Sequence, residues 1–133
     1  MRVTRVDANG DGTPGGIGAT KVFDGVGVGY GSTGGAVTQI TSRTTGVTLN
    51  AYSGAITLVS AAGSATPASF TVTNNKVAAT DTIILVQKSG TDLLELHVTA
   101  VAAGSFRITF FTTGGTTTEQ PVISYAIVRA VAS

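Results

Sequence analysis

The single histidine has the widest chemical repertoire of any residue in this chain. His97 lies two positions after Glu95, so on a strand the two side chains would share one face. The strand pairing predicted below places His97 opposite Thr109 and near Arg107. A nucleophilic set needs a Ser or Thr hydroxyl beside the imidazole and a carboxylate behind it. Because Ser and Thr occur throughout the chain, such proximity means little, and we interpret His97 as a solvent-facing or interface residue.

The acidic residues do not indicate an alternative catalytic site. Hydrolysis by paired carboxylates requires two acids in one cleft. The acids of the strand-rich part lie instead near predicted turns or on an outer face: Asp81, Asp92, Glu95 and Glu119. The chain also has no cysteine and no second histidine to complete a thiolate or metal site. We therefore predict no enzyme activity, no catalytic residue, no metal ligand and no cofactor.

Residues 7–12, Asp-Ala-Asn-Gly-Asp-Gly, match the first half of a calcium-binding loop, with oxygen ligands at positions one, three and five. Position twelve, where such a loop needs a bidentate Glu, is Gly18, and no flanking helix is predicted. The same residue types favour turns. A turn is the preferred interpretation, and whether Asp7 and Asp11 hold an ion stays open.

A second glycine motif, at residues 29–34, has the dinucleotide-binding spacing G-x-G-x-x-G. That function needs a helix directly after the motif, so that the helix N-terminus meets the pyrophosphate. Residues 36–42 alternate with period two instead, which predicts a strand. No nucleotide is expected here.

Composition restricts the remaining function classes. Only 11% of the 133 residues are charged, with a net charge of +1. A soluble domain usually has about a quarter of charged residues, so a surface of Thr, Ser, Gly and Ala suits a protein packed among neighbours. The eight basic residues are scattered, which argues against nucleic acid as a partner. No apolar run approaches the roughly 20 residues of a membrane span, and the first residues lack the apolar core of a secretion signal.

Short apolar segments separated by turn residues run from residue 35 onward. They alternate with period two, as where Phe70 and Val72 point inward and Thr71 and Thr73 point outward. The pattern predicts an all-β, antiparallel two-sheet sandwich that is jelly-roll-like. Its strands are expected at residues 36–42, 46–50, 55–60, 68–74, 81–88 (extended backwards by 76–80), 92–101, 105–111 and 120–131.

Residues 81–111 are predicted to form the central meander of one sheet, with turns at residues 89–91 and 102–104. The first turn is expected to give the pairs Lys88–Asp92, Val86–Leu94 and Ile84–Leu96. The second is expected to give the pairs Val101–Ser105, Ala100–Phe106, Val98–Ile108 and Leu96–Phe110. Both registers place apolar residues opposite each other, which a one-residue slip would destroy. One core face is therefore expected to contain Leu94, Leu96, Val98, Phe106, Ile108 and Phe110.

The N-terminal part differs from the rest, since residues 1–35 contain eleven of the eighteen glycines. Glycine brings few side-chain contacts and a high ordering cost. We predict a Gly-rich extended arm at residues 1–28 that serves assembly, followed by a β-sandwich domain at residues 29–133. Residues 1–6 and 21–23 could add short strands to a sheet edge.

Residues 29–50, GYGSTGGAVTQITSRTTGVTLN, resemble a small module common in proteins of tailed phages and prophages. The resemblance continues through SGAITL (53–58), SFTVTN (69–74), VAATDTIIL (77–85), AVAAGSFRITF (100–110) and SYAIVRAVA (124–132). It covers about residues 29–133 and implies a phage virion structural protein. A short chain with a Gly-rich arm is most similar to a capsid decoration, or cement, protein that stabilises the shell.

The resemblance implies that the partners are the major capsid protein and further copies of the chain, as a dimer or trimer. It implies a place on the capsid surface of the virion after assembly in the host cytoplasm, without nucleic acid or membrane as a partner. The alternative is a tail-fibre or receptor-binding tip. A sugar site there would need exposed aromatics; Trp is absent, Tyr30 and Tyr52 remain, and Tyr125 is expected in the core.

Overall fold

In a computed structural model of the protein, which describes Tyr30 and residues 34–129, every regular element is a β-strand. The all-β prediction is confirmed. The strands are β1 (Gly34–Thr38), β2 (Val47–Thr48), β3 (Ser53–Thr57), β4 (Ala68–Thr73), β5 (Thr82–Ser89), β6 (Leu94–Ala102), β7 (Ser105–Thr112) and β8 (Val122–Val128). This part of the chain contains no helix long and apolar enough to cross a membrane.

The strands form two four-stranded sheets, with the orders β1-β3-β8-β5 and β2-β4-β7-β6. The predicted two-sheet sandwich is confirmed. The inner pairings are antiparallel, but β1 joins β3 in parallel and β2 joins β4 in parallel. The sheets are therefore mixed. Residue alternation could not reveal this difference, because it reports which face of a strand is buried and not the direction in which a short edge strand runs.

The core lies between the sheets at the positions that the alternation predicts. In β4, Phe70 and Val72 are buried whereas Thr71 and Thr73 are exposed. In β8 the buried positions include Tyr125, which was expected in the core. The predicted core face is confirmed: Phe106, Ile108 and Phe110 are buried, and Leu94, Leu96 and Val98 pack against the core from half-buried positions.

The β6–β7 hairpin follows the predicted register at the end far from its turn. The pairs Val98–Ile108 and Leu96–Phe110 are both present. A bulge at Thr99 then shifts the register, so the two pairs predicted nearest the turn are wrong. The structure pairs Ala102 with Ser105 and Val101 with Phe106. The bulge shortens the connection to Ala103 and Gly104, and Gly104 has a φ of +86°, which favours glycine.

The predicted pairing of β5 with β6 is wrong. β5 pairs with β8 in the other sheet, so the turn at residues 89–91 carries the chain from one sheet to the other. Gly90 has a φ of +123° in this turn. In β5, Ile83 is buried and Leu85 packs against the core, whereas Ile84 and Val86, which the predicted register pairs with Leu96 and Leu94, are exposed. Because β5 is apolar on both faces, its residues match a hairpin with β6 although the strand belongs to the other sheet.

Residues 76–80 form turns where a strand extension was predicted. The predicted strands at residues 1–6 and 21–23, the half calcium loop at residues 7–12 and the arm at residues 1–28 lie outside the described residues. Of the motif at residues 29–34, Tyr30 and Gly34 are described. β1 begins at Gly34, so a strand rather than a helix follows the glycine motif, as predicted.

Candidate functional site

The exposed side of the β6–β7 hairpin carries the residues that the sequence singled out for chemistry. His97 lies opposite Thr109, as predicted. Its Nε2 atom is 3.8 Å from Glu95 Oε1, and the two side chains are 56% and 51% exposed. The His97 ring stacks on Phe111, with 6.4 Å between the ring centroids and 14° between the planes. We name the set of Glu95, His97, Thr99, Arg107, Thr109 and Phe111 the hairpin outer face.

The hydroxyl groups of the hairpin outer face hydrogen-bond to one another. Thr109 Oγ1 is 2.8 Å from Ser69 Oγ and 2.7 Å from Thr99 Oγ1. Arg107 Nε donates to Thr99 Oγ1 at 3.0 Å. Within residues 34–129, the imidazole of His97 therefore has a carboxylate and a ring beside it, but no hydrogen bond to a hydroxyl. The arrangement contains the carboxylate and histidine of a nucleophilic set without the hydroxyl that would attack.

Two of the acidic residues, which were expected near turns or on an outer face, are buried: Asp81 and Asp92. Asp81 Oδ2 accepts a hydrogen bond from the N–H of Ala78 at 2.8 Å and lies 3.2 Å from Arg129 Nη1. Asp92 Oδ2 accepts a hydrogen bond from the N–H of Thr117 at 2.7 Å. Both carboxylates thus hold turns and loops. In the described part of the chain, no group of three or more His, Asp or Glu side chains is placed to hold a metal ion.

Glu119 holds the turn between β5 and β6. Its carboxylate accepts a hydrogen bond from the N–H of Thr91 at 2.6 Å and a longer one, of 3.3 Å, from the N–H of Asp92. Its backbone pairs with Ala61 in an isolated antiparallel bridge. The predicted position of Glu119 near a turn is correct, and the structure shows that the side chain fixes a turn distant in sequence.

Arg43 also links distant segments, and no motif in the sequence indicates this role. Its Nε donates to the carbonyl of Val59 at 2.9 Å, and its Nη2 donates to the carbonyls of Ala61 and Glu119 at 2.6 Å each. Burial lowers the pKa of the guanidinium from its ordinary value, while the charges of Glu119 and Asp92 act in the opposite direction. The partners of Arg43 are carbonyls, which every residue has, so no side-chain pattern could have indicated them.

A groove of about 320 Å³ lies beside Arg43. It is lined mostly by small residues, with Phe110 and Thr112 on one wall. Ligand sites usually combine an apolar lining with a few polar groups that converge on the ligand. Here Thr112 Oγ1 donates to the carbonyl of Gly115 at 2.8 Å, and Arg43 bonds three carbonyls. These polar groups serve the loops, so the groove offers little to orient a ligand.

The three tyrosines have different surroundings. Tyr125 is 3% exposed, its hydroxyl donates to the carbonyl of Ala51 at 2.8 Å, and burial raises its pKa to about 12. Tyr52 has two cations over its ring, since Lys76 Nζ and Arg129 Cζ each lie 5.8 Å from the ring centroid. Tyr30 is exposed. The rings of Tyr52 and Tyr125 are therefore not available for stacking against a sugar.

The fold and these contacts define an all-β sandwich domain of two four-stranded sheets, with charged side chains that hold its loops. Residues 31–121, more than half of the chain, match the family described as PilS N terminal, and the chain belongs to this family. No curated protein and no solved structure gives a significant match.

Proposed function

We propose that this chain is a structural protein of a phage virion, a capsid decoration protein that stabilises the shell. The proposal is supported by the resemblance of residues 29–133 to the tailed-phage module. The structural observation that carries it is the surface of the sandwich. The outward positions of both sheets are mainly small hydroxyl and aliphatic residues.

The outward residues of two inner strand pairs illustrate this surface. Those of β3 and β8 are Ser53, Ala55, Thr57, Val122, Ser124 and Ala126. Those of β4 and β7 are Ser69, Thr71, Thr73, Ser105, Arg107 and Thr109. Side chains of this size allow another protein to approach closely, and an interface there desolvates few charges. Such surfaces suit extensive protein contact better than catalysis in a cleft.

A decoration protein would act by bridging. One copy contacts two or more capsid subunits, and each contact made only in the closed shell stabilises that shell by mass action. A domain whose loops are already fixed by hydrogen bonds loses less conformational entropy when it binds. The contacts of Arg43 and Glu119 provide this property, because they join the segments around residues 59–61 and 91–92. The partners are then the major capsid protein and further copies of the chain.

Membership of the PilS N-terminal family, which is related to type IV pilins, favours a second candidate. In this alternative the chain is part of a surface filament. Both candidates place many copies of one sandwich side by side, and both use protein contacts rather than chemistry. They differ in the particle to which the protein belongs.

A tail-fibre or receptor-binding tip is the third candidate, and the hairpin outer face favours it. The stacked rings of His97 and Phe111 lie beside the charged side chain of Glu95. Exposed rings next to polar groups are the usual elements of a carbohydrate contact. A receptor site at this place would depend on His97, whereas shell decoration would not.

Immunogold electron microscopy of purified virions and of host-cell filaments separates the three candidates. The proposal predicts label distributed over the capsid, with a copy number by quantitative mass spectrometry that scales with the major capsid protein. Label confined to the tail tip would favour the receptor candidate, and label on filaments would favour the pilin-related one. Particles without label would contradict the proposal.

A pair of variants adds a functional readout. His97→Ala removes the stacked imidazole, and Thr73→Ala changes an exposed position elsewhere on the same sheet. Shell decoration predicts that virions with either variant assemble and adsorb to cells as the unmodified virions do. A loss of adsorption specific to His97→Ala would contradict decoration and favour receptor binding.

A further inference from the structure

The outer face of the β1-β3-β8-β5 sheet is uncharged over two complete rows of paired residues. One row runs from Gly34 through Ser53 and Ala126 to Ile84. The next runs from Ala36 through Ala55 and Ser124 to Val86. We name these two rows the neutral face. Lys88, two positions after Val86 on β5, lies outside these rows. The opposite side of the sandwich differs, because charged groups such as Glu95 and Arg107 lie within the rows of its outer face.

The side chains of the neutral face are large along one edge of the sheet and small along the other. Ile84 and Val86 of β5 are 49% and 52% exposed, which is high for branched aliphatic residues. At the opposite edge, Gly34 and Ala36 of β1 present almost no side chain. Single exposed aliphatic residues are common on protein surfaces, and what distinguishes this strip is that it lies on an uncharged sheet face whose opposite edge has small side chains.

We propose that the neutral face binds the neutral face of a second copy of this chain, around a two-fold axis that lies between the sheets and runs parallel to the strands. Such an axis places β5 of one copy over β1 of the other. The aliphatic ridge of Ile84 and Val86 then fits over Gly34 and Ala36 twice, once on each side of the axis. An axis perpendicular to the strands would instead place ridge against ridge.

Charge also favours a second copy as the occupant. A two-fold interface brings each residue near its own equivalent, so charged residues close to the axis would repel each other. The neutral face has none in its two rows. Ser124 and Ala55, on the two central strands, lie next to the axis and can approach closely.

The size of the face predicts a weak pair. The whole outer face of this sheet, four strands about 4.8 Å apart and five to eight residues long, covers roughly 400 Å² per copy, and the neutral face is about half of it. A stable interface needs about 800 Å² per partner. The pair should therefore form at high concentration in solution and be strengthened wherever many copies are held in one assembly. The inference does not depend on the proposed function, because purified protein tests it.

Cross-linking tests the geometry in the full chain, which has no native cysteine. Three variants are compared: Ala36→Cys, Val86→Cys and the double variant. Positions 36 and 86 lie three strand spacings apart, about 14 Å, at opposite edges of one row. The cross-linker is a short bismaleimide that spans the gap between the facing sheets of two copies but not the distance between positions 36 and 86 within one copy. With this reagent the double variant should give covalent dimers. An equimolar mixture of the two single variants should do the same, and each single variant alone should not.

The control pair Thr71→Cys/Thr99→Cys, on the other outer face, should give no more dimer than a single variant. Dimer formation by Val86→Cys alone, as efficient as that of the double variant, would overturn the proposed axis. So would equal cross-linking of the control pair.

Sedimentation equilibrium tests the affinity. Ser124→Lys places two ammonium groups next to the axis and should weaken self-association at least tenfold, whereas the matched change Thr71→Lys on the other sheet should leave it unchanged. Circular dichroism confirms that both variants fold. If Ser124→Lys leaves self-association unchanged but weakens attachment to particles, the face binds a different protein and the proposal is wrong. A chain that stays monomeric up to about 1 mM would also overturn it.

Discussion

The side-chain amide of Asn74 donates a hydrogen bond to the hydroxyl of Tyr125 at 3.0 Å and so joins the end of β4 in one sheet to β8 in the other. Both groups also donate to the carbonyl of Ala51, at 2.7 and 2.8 Å. The Tyr125 ring packs edge-on against Phe106, with 5.2 Å between the centroids. A buried polar group is costly unless it is hydrogen-bonded. This closed network therefore favours one alignment of the two sheets.

Tyr125→Phe should lower the free energy of unfolding by about 1–2 kcal/mol. The substitution keeps the ring and removes the hydroxyl, while the amide of Asn74 retains its bond to the carbonyl of Ala51. Urea denaturation followed by circular dichroism measures the change. The exposed control Thr73→Ala should stay within about 0.5 kcal/mol of the unmodified chain. Equal stabilities for Tyr125→Phe and the control would show that the hydroxyl network contributes nothing.

The same hydroxyl predicts a sensitivity to high pH. Burial raises the pKa of Tyr125 from 10.0 to about 12, because the phenolate is poorly solvated in the core. The unfolded chain therefore releases this proton at lower pH than the folded chain. The contribution of Tyr125 to stability is complete below about pH 10 and is lost as the pH rises from about 10 to 12.

Chemical unfolding at a series of alkaline pH values checks this expectation. The stability of the unmodified chain should fall more steeply above about pH 10 than that of Tyr125→Phe. The other tyrosines and the lysines are common to both proteins, so the difference isolates Tyr125. Parallel curves for the two proteins would contradict the assignment.

Neighbouring phenylalanines on β7 provide a matched test of the sandwich. Phe110 is 4% exposed and packs edge-on against Phe70, with 6.0 Å between the centroids. Phe110→Ala should cost about 3–5 kcal/mol, as large truncations in cores do. Phe111 lies on the hairpin outer face against His97, so Phe111→Ala should cost much less. Thermal unfolding of both variants measures the difference, and similar midpoints would mean that the inward and outward faces of β7 are misassigned.

Alternation of polar and apolar residues predicts the buried face of a strand, but it does not predict which strand lies beside it, and it fails for β5, whose two faces are both apolar. The burial of Phe70 and Val72 follows from alternation alone. The pair Val98–Ile108 follows because apolar residues meet only in one register. The bulge at Thr99 is hidden in the sequence because Ala100 continues the two-residue apolar alternation, although in the structure Val101 and not Ala100 packs against the core.

The long-range contacts of polar side chains could not be predicted from the sequence, because they form only when distant segments of the chain come together. Arg43 bonds carbonyls that are sixteen to seventy-six positions away along the chain. Its position depends on how the loops converge once both sheets have formed. The location of His97 opposite Thr109 could be predicted because it depends only on hairpin register. Sites built on one hairpin are thus more predictable than sites built from several loops.

Gln87 links β5 to β6 at the place where the predicted backbone pairing is missing. Its Nε2 donates to the carbonyl of Asp92 at 2.8 Å, and its Oε1 accepts from the N–H of Leu94 at 2.9 Å. The side-chain amide thus takes the place of a neighbouring strand. Gln87→Leu should lower stability by about 1–3 kcal/mol, because it leaves two backbone groups without these partners.

Hydrogen exchange gives a local readout for Gln87→Leu. The amide of Leu94 should exchange faster than in the unmodified chain, while amides in the centre of β8 change only with global stability. Lys88→Leu, at the next and exposed position, is the matched control and should leave the exchange of Leu94 unchanged. Unchanged protection of Leu94 in Gln87→Leu would show that another group supports the start of β6.

Deletion of residues 1–28 tests the predicted division of the chain into an arm and a sandwich. The eight strands of the described residues begin at Gly34, so we expect the shortened chain to keep the circular dichroism spectrum and the unfolding midpoint of the full chain. Eleven of the eighteen glycines lie in residues 1–35. Ordering such a segment costs about 1–2 kcal/mol of backbone entropy per residue, and contacts with a larger assembly are a means of offsetting that cost.

The shortened chain should therefore no longer stay on particles when they are sedimented, whereas the full chain stays bound. Retention of the shortened chain at the level of the full chain would show that the contact lies on the sandwich instead. Loss of the folded spectrum would show that residues 1–28 belong to the folded domain and that the predicted boundary is wrong. Folding and attachment are measured on the same preparation, so the two failures are distinguishable.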